Sequence, residues 1–340
     1  MDFVIDFIYV GDGDGIVIWG RNPNESDFVF FLDGGSQGYG KKIVEHYRNW
    51  IEPNLYKKRT LAFINSHPHT DHINGLIEIV NELGNDLSWG FYNDPVKFIT
   101  EELRENIKKS ALKEEDKDIV HLYKSFQKVH ELNELCTKYK IEQKEALSEI
   151  FNYKEIKVVS PTREFYIEKV QQFTNIDFLK KVDFKTKSSI DIDEYEENIK
   201  PCIIVDEKND ASPENLSATV IELTDSKNRR YLLTSDAGVE SFDDMEKNGF
   251  DCEELHIVQL PHHGSRRNVN TKWLSKFNPD MYLVSAEGNK KHPRKAVISC
   301  VKKNLPNCNV YSTHKMKGVL SYTTNREIFP TRNWESAEPI

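Results

Sequence analysis

The spacing of apolar residues changes along the chain. Near the N-terminus they alternate with polar residues or form short runs bounded by Gly, Asn and Pro, which predicts strands. The predicted strands of this part are FVIDFIYV, GIVIWG, DFVFFLDGG, LAFINS and DLSWGFYN. After residue 214 the same spacing of apolar residues returns, and it predicts further strands in ATVIEL, RRYLLTSD, ELHIVQL and MYLVSAE. EIKVVSP adds one between these two parts.

Helical spacing occurs between and beside these strands. GKKIVEHYRNWI at 40–51 and INGLIEIVNELG at 73–84 carry apolar residues at three- and four-residue steps, and the second is expected to end at Gly84. Residues 96–152 are charged and helical, and one long helix there carries an apolar stripe. The stripe consists of Ile119, Leu122, Phe126, Val129, Leu132, Cys136 and Tyr139. It is expected to pack on the core; a second copy or a partner protein is the alternative.

The order of these elements predicts the fold class. Strands at both ends of the chain with helices between them indicate an α/β protein with two sheets, each covered by helices. We expect one domain over 1–340, with 96–152 as a helical insertion. Residues 162–214 are polar and weakly patterned, which favours a loop-dominated insertion or lid.

Composition narrows the function classes. The formal net charge of −9 argues against a broad surface that coats nucleic acid, although a local basic groove remains compatible with it. No apolar run approaches the roughly 20 residues that span a bilayer, and the N-terminus lacks a signal-peptide pattern. The five cysteines are odd in number and form no C-x-x-C pair, so we expect reduced thiols and a cytoplasmic protein.

The densest cluster of coordinating side chains follows the predicted strand LAFINS. His67, His69, Asp71 and His72 form an H-x-H-x-D-H pattern in the loop that leads into the next helix. Such a loop can direct His67 and His69 to one ion and Asp71 and His72 to a second. Imidazole and carboxylate suit Zn²⁺ and also admit Mn²⁺. The pattern therefore predicts two divalent metal ions.

The H-x-H-x-D-H pattern resembles the signature of the metallo-β-lactamase superfamily. Other segments resemble its ComEC-like metallo-hydrolase group in the same order, and the 96–150 and 162–214 regions have no counterpart. These segments are VGDGDGIVIWG, FLDGGS, SHPHTDHINGL, VVSP, NLSATVIEL, RRYLLTSDAG, VQLPHHGS, VSAEGNKKHP and VYSTHKMKGVL. The resemblance implies a four-layer αββα sandwich. The ComEC channel has membrane helices and this chain has none, which points to a stand-alone enzyme.

The resemblance also implies roles for individual residues. Asp236 of TSDAG is expected to bridge both metals. His262 and His263 of PHHGS are expected to supply the last ligand of the second metal, with His263 favoured and His262 placed near the substrate as a catalytic residue. Asp33 is expected to orient a ligand histidine from beneath the site. Ser265 is a plausible hydrogen-bonding neighbour.

The chain departs from the superfamily at one ligand. Many members bring a further histidine to the first metal from the middle of the chain, whereas the matching segment here, 215–223, contains none. Asp12 and Asp14 of GDGDG are expected to be turn residues. His46, His121, His130 and His256 have no motif around them and are expected to be surface or core residues. His314 lies near the terminal segment of the resemblance but does not match it as a ligand.

The resemblance favours phosphodiester hydrolysis, with nucleic acid or a nucleotide as the candidate substrate. A metal-bound hydroxide would attack phosphorus, and Asp71 would hold the second metal and contribute to catalysis. Hydrolysis of an ester, lactone or amide is the enzymatic alternative. The other alternative is a partner-binding component that has lost turnover.

Two further features bear on catalysis. His292 precedes a predicted helix in RKAVISCVKK, where Pro293 suits the first turn. A histidine held there can donate a hydrogen bond to the scissile phosphate or a proton to the leaving oxygen. Basic residues close to the motifs are expected to form a local positive rim. They are Arg266, Arg267, Lys290, Lys291 and Arg294.

Overall fold

Two mixed sheets form the centre of the protein. The computed structural model describes residues 1–22, 26–56, 58–113, 117–175, 200–207, 211–289, 291–316, 318–330, 332, 334 and 337–340. Within these residues the first sheet has the order β14-β1-β2-β3-β4-β5-β6 and the second the order β13-β12-β11-β10-β9-β8-β7. The strands are β1 Asp2–Ile8, β2 Ile16–Arg21, β3 Asp27–Leu32, β4 Arg59–Ile64, β5 Leu87–Phe91, β6 Glu142–Lys144, β7 Asn152–Tyr153, β8 Ile156–Ser160, β9 Val220–Thr224, β10 Arg230–Leu233, β11 Leu255–Gln259, β12 Met281–Val284, β13 Asn309–Ser312 and β14 Val319–Thr323.

The parallel strands bring chemically important loops to one edge. In the first sheet β3, β4 and β5 run parallel, and in the second β10, β11 and β12 do. Because the carboxyl ends of parallel strands lie at the same edge of a sheet, the loops that follow them converge. Asp33 follows β3, Ser66 lies just beyond β4, and Asp236 follows β10.

The helices cover the outer faces of the sheets. They are α1 Tyr39–His46, α2 Thr70–Leu83, α3 Glu101–Leu112, α4 Lys117–Tyr139, α5 Arg163–Phe173, α6 Pro201–Glu207, α7 Pro213–Leu216, α8 Val239–Lys247, α9 Thr271–Phe277, α10 Lys295–Asn304 and α11 Thr313–Met316. In the described part of the chain, none of them combines the length and the apolar character that crossing a membrane requires.

The core is layered as the fold class requires. Alternate side chains of both sheets, such as Phe30 of β3 and Leu233 of β10, form one apolar cluster between the sheets. The opposite face of the first sheet packs with α1, α2 and α4, and that of the second packs with α8, α9 and α10. The predicted four-layer αββα sandwich is therefore confirmed.

The apolar stripe of the inserted helix packs on this core. Val129, Leu132 and Cys136 of α4 are buried in the cluster that contains Leu76 and Val80 of α2. The N-terminal part of the stripe joins a smaller cluster with α3 and α5. The prediction of one long amphipathic helix is confirmed, and its apolar face is covered by the chain itself.

The polar segment 162–214 differs from the prediction where it is described. Its described parts contain α5, α6 and the start of α7, and residues 176–199 and 208–210 lie outside the described residues. Thr162 and Ser212 cap α5 and α7, and each side chain accepts a hydrogen bond from a backbone N–H three residues on. The weak apolar pattern of this segment did not indicate these short helices. The capping residues mark where α5 and α7 begin.

The prediction that all the cysteines are reduced is wrong. Cys202 of α6 and Cys300 of α10 form a disulfide across 98 residues of sequence. The sequence could not show this pair because only the tertiary packing of α6 on α10 brings the two thiols together. Disulfides are rare in reducing compartments, so the pair removes one ground for the predicted cytoplasmic location.

The cysteine arrangement predicts a thiol count. Cys136, Cys252 and Cys308 are free and buried. We expect a thiol reagent to find three reactive groups per chain in denaturant without reductant, and almost none at early times in the native protein. Five reactive thiols in unreduced, denatured protein would contradict the disulfide.

Candidate metal centre

The H-x-H-x-D-H segment turns directly from strand to helix. His67 lies in the loop after β4, His69 is the N-cap of α2, and Asp71 and His72 lie in the first turn of that helix. Gly13 of the GDGDG loop packs against this segment: a Cβ at Gly13 would lie 2.1 Å from the Asp71 carbonyl oxygen. Only glycine permits this approach, at a φ of +118°.

Asp236 lies between the histidines of both sheets. Its side chain is buried, and its two oxygens face different groups. Oδ1 lies 3.4 Å from His72 Nε2 and 3.5 Å from His263 Nε2. Oδ2 lies 3.7 Å from His67 Nε2 and 3.6 Å from His262 Nε2. One carboxylate thus separates two sets of imidazole nitrogens.

The two remaining motif residues lie at the edges of this arrangement. Asp71 Oδ2 is 3.9 Å from His263 Nε2, on the Oδ1 side of Asp236. His69 Nε2 is 3.6 Å from Glu214 Oε2, and the ring of His69 is 4.5 Å from that of His67 between centroids. The Asp71 side chain is 36% exposed, so the site opens to solvent beside it.

Hydrogen bonds fix which ring nitrogen faces the centre. His72 Nδ1 donates to the Asp33 carboxylate over 2.8 Å, and His263 Nδ1 donates to the Ser285 carbonyl over 3.1 Å. The Ser66 hydroxyl donates its proton to Asp33. In its 3.0 Å contact with His67 Nδ1 the Ser66 oxygen must therefore accept, so Nδ1 of His67 is the donor. Each Nε2 is thereby directed inward, the orientation found in metal-ligating histidines.

These inward-facing atoms fit a metal ion. His67, His69, His72 and His263 each have a buried Nε2 without a hydrogen-bond partner in the described structure, and so does Asp236 Oδ1. Around a tetrahedral Zn²⁺ ion, neighbouring ligand atoms about 2.1 Å from the metal lie about 3.4 Å apart. The separations of 3.4 to 3.7 Å from Asp236, and of 3.9 Å between Asp71 and His263, are close to that spacing. The cluster can hold divalent metal.

Burial and mutual repulsion shape the charges in this cluster. Burial, together with His72 and His69, holds the pKa of His67 well below its usual range. Burial opposes charge on His72, but Asp236 and Asp33 outweigh it and raise the pKa of His72 well above normal. Burial likewise opposes charge on Asp236, yet the surrounding histidines hold its pKa well below normal. The carboxylate is therefore ionised and suited to a cation.

Asp33 has the orienting position predicted for it. Its buried carboxylate accepts hydrogen bonds from His72 Nδ1, the Ser66 backbone N–H and the Asn65 amide. Because the same carboxylate also receives the Ser66 hydroxyl, it fixes His67 indirectly.

Removing the negative charge of Asp33 should weaken metal binding. We expect Asp33→Asn to lower metal affinity by about 10- to 100-fold, the usual effect of losing such a partner. Competition with a chelating dye measures the affinity. Asp12→Asn is the matched control, since Asp12 accepts hydrogen bonds from the Glu287 backbone N–H and the Asn289 side chain rather than from a candidate ligand. Equal affinity in both variants would contradict the orienting role.

Three residues near the site were missed by sequence reasoning. Asp14 was assigned to a turn, yet it is buried close to Asp33 and His72 and accepts two hydrogen bonds from Gln259. His121 of α4 was expected to lie away from the site, but its ring is 5.0 Å from that of His69. Glu214, at the start of α7, also contacts His69. The repeated acidic residue in GDGDG was the one local signal.

His292 lies beside the cluster, as the sequence predicted. Its ring stacks on His262 at 5.4 Å between centroids, and neither ring nitrogen has a hydrogen-bond partner in the described structure. Burial, with His262 and His263, lowers the pKa of His292 to about 2. The expectation that Pro293 lies in the first helical turn is wrong, because Arg294 is the N-cap of α10.

The other predicted neighbours are less close to the ligand atoms. Ser265 Oγ accepts a hydrogen bond from the Arg267 backbone and so shapes the PHHGS loop. Of the predicted basic rim, Arg266 is buried, Lys291 is exposed and Lys290 lies outside the described residues. His46, by contrast, is a core residue that pairs with Asp6, and His130, His256 and His314 contact Glu134, Asp280 and Ser312.

Comparisons with known proteins give no family for the chain. No family model matches the chain, and no curated protein does. Among solved structures, the chain is similar to a long-form RNase Z from yeast, with 11% identity and a TM-score of 0.38. The match covers 84% of this chain and spans 36% of the yeast protein's chain.

Proposed function

We propose that this protein is a divalent-metal-dependent hydrolase of phosphodiesters that holds two ions, one on each side of Asp236. The observation that carries the proposal is the division of imidazole nitrogens between the two oxygens of that carboxylate, at 3.4 to 3.7 Å. A merely structural carboxylate would use its oxygens in hydrogen bonds. Here Oδ1 of Asp236 has no hydrogen-bond partner in the described part of the chain.

We assign the ligands from these separations. Asp71, His72, His263 and Asp236 Oδ1 form the second site, and three of their donor groups already lie within 4.8 Å of one another. His67, His69 and Asp236 Oδ2 belong to the first site. Imidazole and carboxylate donors suit Zn²⁺, and the second carboxylate in the second site also admits Mn²⁺.

The side chains around the ions divide the remaining work. Two bound ions would supply an activated water and neutralise charge on the phosphate oxygens. Asp33 orients His72, and the Ser66 hydroxyl orients His67. His292 is neutral at its lowered pKa, so it can donate a hydrogen bond to a phosphate oxygen.

The phosphodiester preference rests on the resemblance of the motifs. Exposed Lys291, whose charge acts on His292, adds a positive group at the same edge. The open side at Asp71 gives a substrate access to the cluster. We infer that the substrate is a nucleic acid or a nucleotide. It would bind at this local part of a protein whose total charge is negative. Esters and lactones are the alternative because the same ions polarise a carbonyl group.

A substrate comparison tests the proposal. Protein stripped with a chelator and reloaded with Mn²⁺ or Zn²⁺ is offered bis-(p-nitrophenyl) phosphate, single-stranded nucleic acid, p-nitrophenyl acetate and a simple lactone. We expect metal-dependent turnover of the phosphodiesters, faster by at least about 10²-fold than that of the carbonyl substrates, and none in the stripped protein.

Two results would overturn it. Ready lactone or ester hydrolysis without phosphodiester turnover would assign carbonyl chemistry to the site. Stoichiometric metal binding without turnover of any of these substrates would favour a binding component that keeps the site but not the activity. Asp236→Ala protein in every assay controls for contaminating hydrolases.

A further inference from the structure

The proposed first site has too few ligands from the expected segments. His67 and His69 supply two imidazoles and Asp236 one oxygen, while 215–223 contains no histidine. We propose that His262 is the missing ligand of the first ion. This inference rests on the proposed function. It gives the two neighbouring histidines of PHHGS different ions, with His262 on Oδ2 of Asp236 and His263 on Oδ1.

The distances place His262 on the first-site side. Its Nε2 lies 3.6 Å from Asp236 Oδ2, the same oxygen that His67 Nε2 approaches at 3.7 Å. Both values are close to the spacing of about 3.4 Å between neighbouring ligands of a tetrahedral ion. His263 approaches the other oxygen of Asp236.

Asn268 fixes the ring of His262 for ligation. The Asn268 amide nitrogen donates to the backbone carbonyls of Asp236 and Ala237, at 2.9 and 3.3 Å. Its amide oxygen must therefore face His262 Nδ1, 2.9 Å away, and an oxygen there can only accept. Nδ1 carries the proton, and Nε2 is left with the lone pair that a metal requires. Asn268 is fully buried, so this orientation is rigid.

Asn215 supports the same ring. Its amide Nδ2 lies 2.9 Å from His262 Nδ1, and its amide oxygen has no partner among the described residues. Because Nδ1 already donates to Asn268, this contact requires the Asn215 amide to be turned over, which places its unpartnered oxygen at the ring. The segment that lacks the expected histidine thus supplies an asparagine that holds His262.

The backbone of PHHGS explains how adjacent side chains reach different oxygens. His262 and His263 both have left-handed conformations, with φ of 46° and 57°. Consecutive non-glycine residues rarely adopt this region, and such strain collects at functional sites. The following Gly264, with φ of 79°, completes the turn. This turn places both rings against one carboxylate.

Glu214 is the rival ligand. Its Oε2 lies 3.6 Å from His69 Nε2, and its side chain is 15% exposed. Glu214 approaches His69, whereas His262 Nε2 lies 3.6 Å from Oδ2 of Asp236, the carboxylate that would hold both ions. We therefore assign Glu214 to contact with His69 alone.

Metal content separates these assignments. Protein dialysed to equilibrium against Zn²⁺ is analysed for ions per chain by elemental analysis and native mass spectrometry. We expect two ions in the wild type, one in His262→Ala and two in Glu214→Gln. His262→Phe, which keeps a ring without a nitrogen, should also hold one ion if the alanine variant fails to fold. Circular dichroism checks the fold of each variant.

Free imidazole distinguishes a ligand from a structural residue. Imidazole added to His262→Ala can occupy the vacated space and offer a nitrogen, so we expect the second ion to return. It should have no such effect on His262→Phe, where the ring fills the space. These readouts measure metal and need no turnover.

The outcomes separate the two proposals. Two ions in folded His262→Ala would overturn the assignment of His262 and leave the proposed function standing. One ion in Glu214→Gln together with two in His262→Ala would show that Glu214, and not His262, is the ligand of the first ion. A wild type with one ion would also overturn the inference, because a first site with four protein ligands should fill. A wild type without any bound ion would overturn the proposed function itself.

Discussion

Asp236→Ala is expected to lose both ions and to lower turnover by at least about 10³-fold, since bound ions supply several kcal/mol of transition-state stabilisation. The reason is geometric. Oδ1 lies between His72 and His263, and Oδ2 lies between His67 and His262. No other carboxylate among the described residues has imidazoles on both of its oxygens in this way. Loss of Asp71 should, by contrast, affect the second site first.

The measurement is metal content beside turnover in the same preparation. Asp280→Ala is the matched control, because the Asp280 side chain is 72% exposed and pairs with His256 rather than with a candidate ligand. Circular dichroism should show a largely unchanged fold for both variants. Wild-type metal content in folded Asp236→Ala would show that Asp236 does not bridge the ions.

His292→Ala is expected to keep both ions and to lower turnover by about 10²-fold or more, the usual contribution of a positioned hydrogen-bond donor. The ring lies against His262 and His263, and its nitrogens are free of other partners in the described structure. The pKa of about 2 means that the ring is neutral at neutral pH. It is therefore suited to hydrogen bonding rather than to protonating the leaving oxygen.

Substrates with different leaving groups separate these two roles. A hydrogen bond to a non-bridging oxygen should be lost equally for a nitrophenolate and for a poor leaving group. Proton donation would matter only for the poor leaving group. We expect equal losses, with partial recovery in His292→Gln, whose amide can still donate. Unchanged turnover in His292→Ala with metals retained would exclude any catalytic role.

The parts of the fold set by local pattern were predictable. The short apolar runs of β1 to β4 predict strands that are buried on both faces, and the three- and four-residue steps of α2 and α4 specify which face of each helix is buried. The N-terminal end of α2 was less readable, because the helix begins at Thr70 and includes Asp71 and His72, three residues before the predicted span 73–84. These features depend on neighbours a few residues away.

The parts set by tertiary packing were not predictable. His121 reaches His69 only because α4 packs on α2, and nothing around His121 in the sequence indicates this. Cys202 and Cys300 meet through the same kind of long-range packing. The placement of Asp14 under the site depends on Gln259 from the other sheet. Such contacts join segments whose separate patterns carry no sign of each other.

The metal ligands were predictable only in part. The resemblance of TSDAG and PHHGS indicated Asp236 and the histidine pair, but it could not divide His262 from His263. That division depends on two left-handed residues and on the buried amide of Asn268. Backbone angles of this kind leave little trace in residue type, apart from the glycine that follows.

The most direct test of the central claim is a crystal structure of the zinc-loaded protein, with the ions located by anomalous scattering at the zinc edge. We predict two peaks about 3.5–4 Å apart, one on each oxygen of Asp236. His72, His263 and Asp71 should surround one peak, and His67, His69 and His262 the other. A single peak, or peaks away from Asp236, would contradict a two-metal centre.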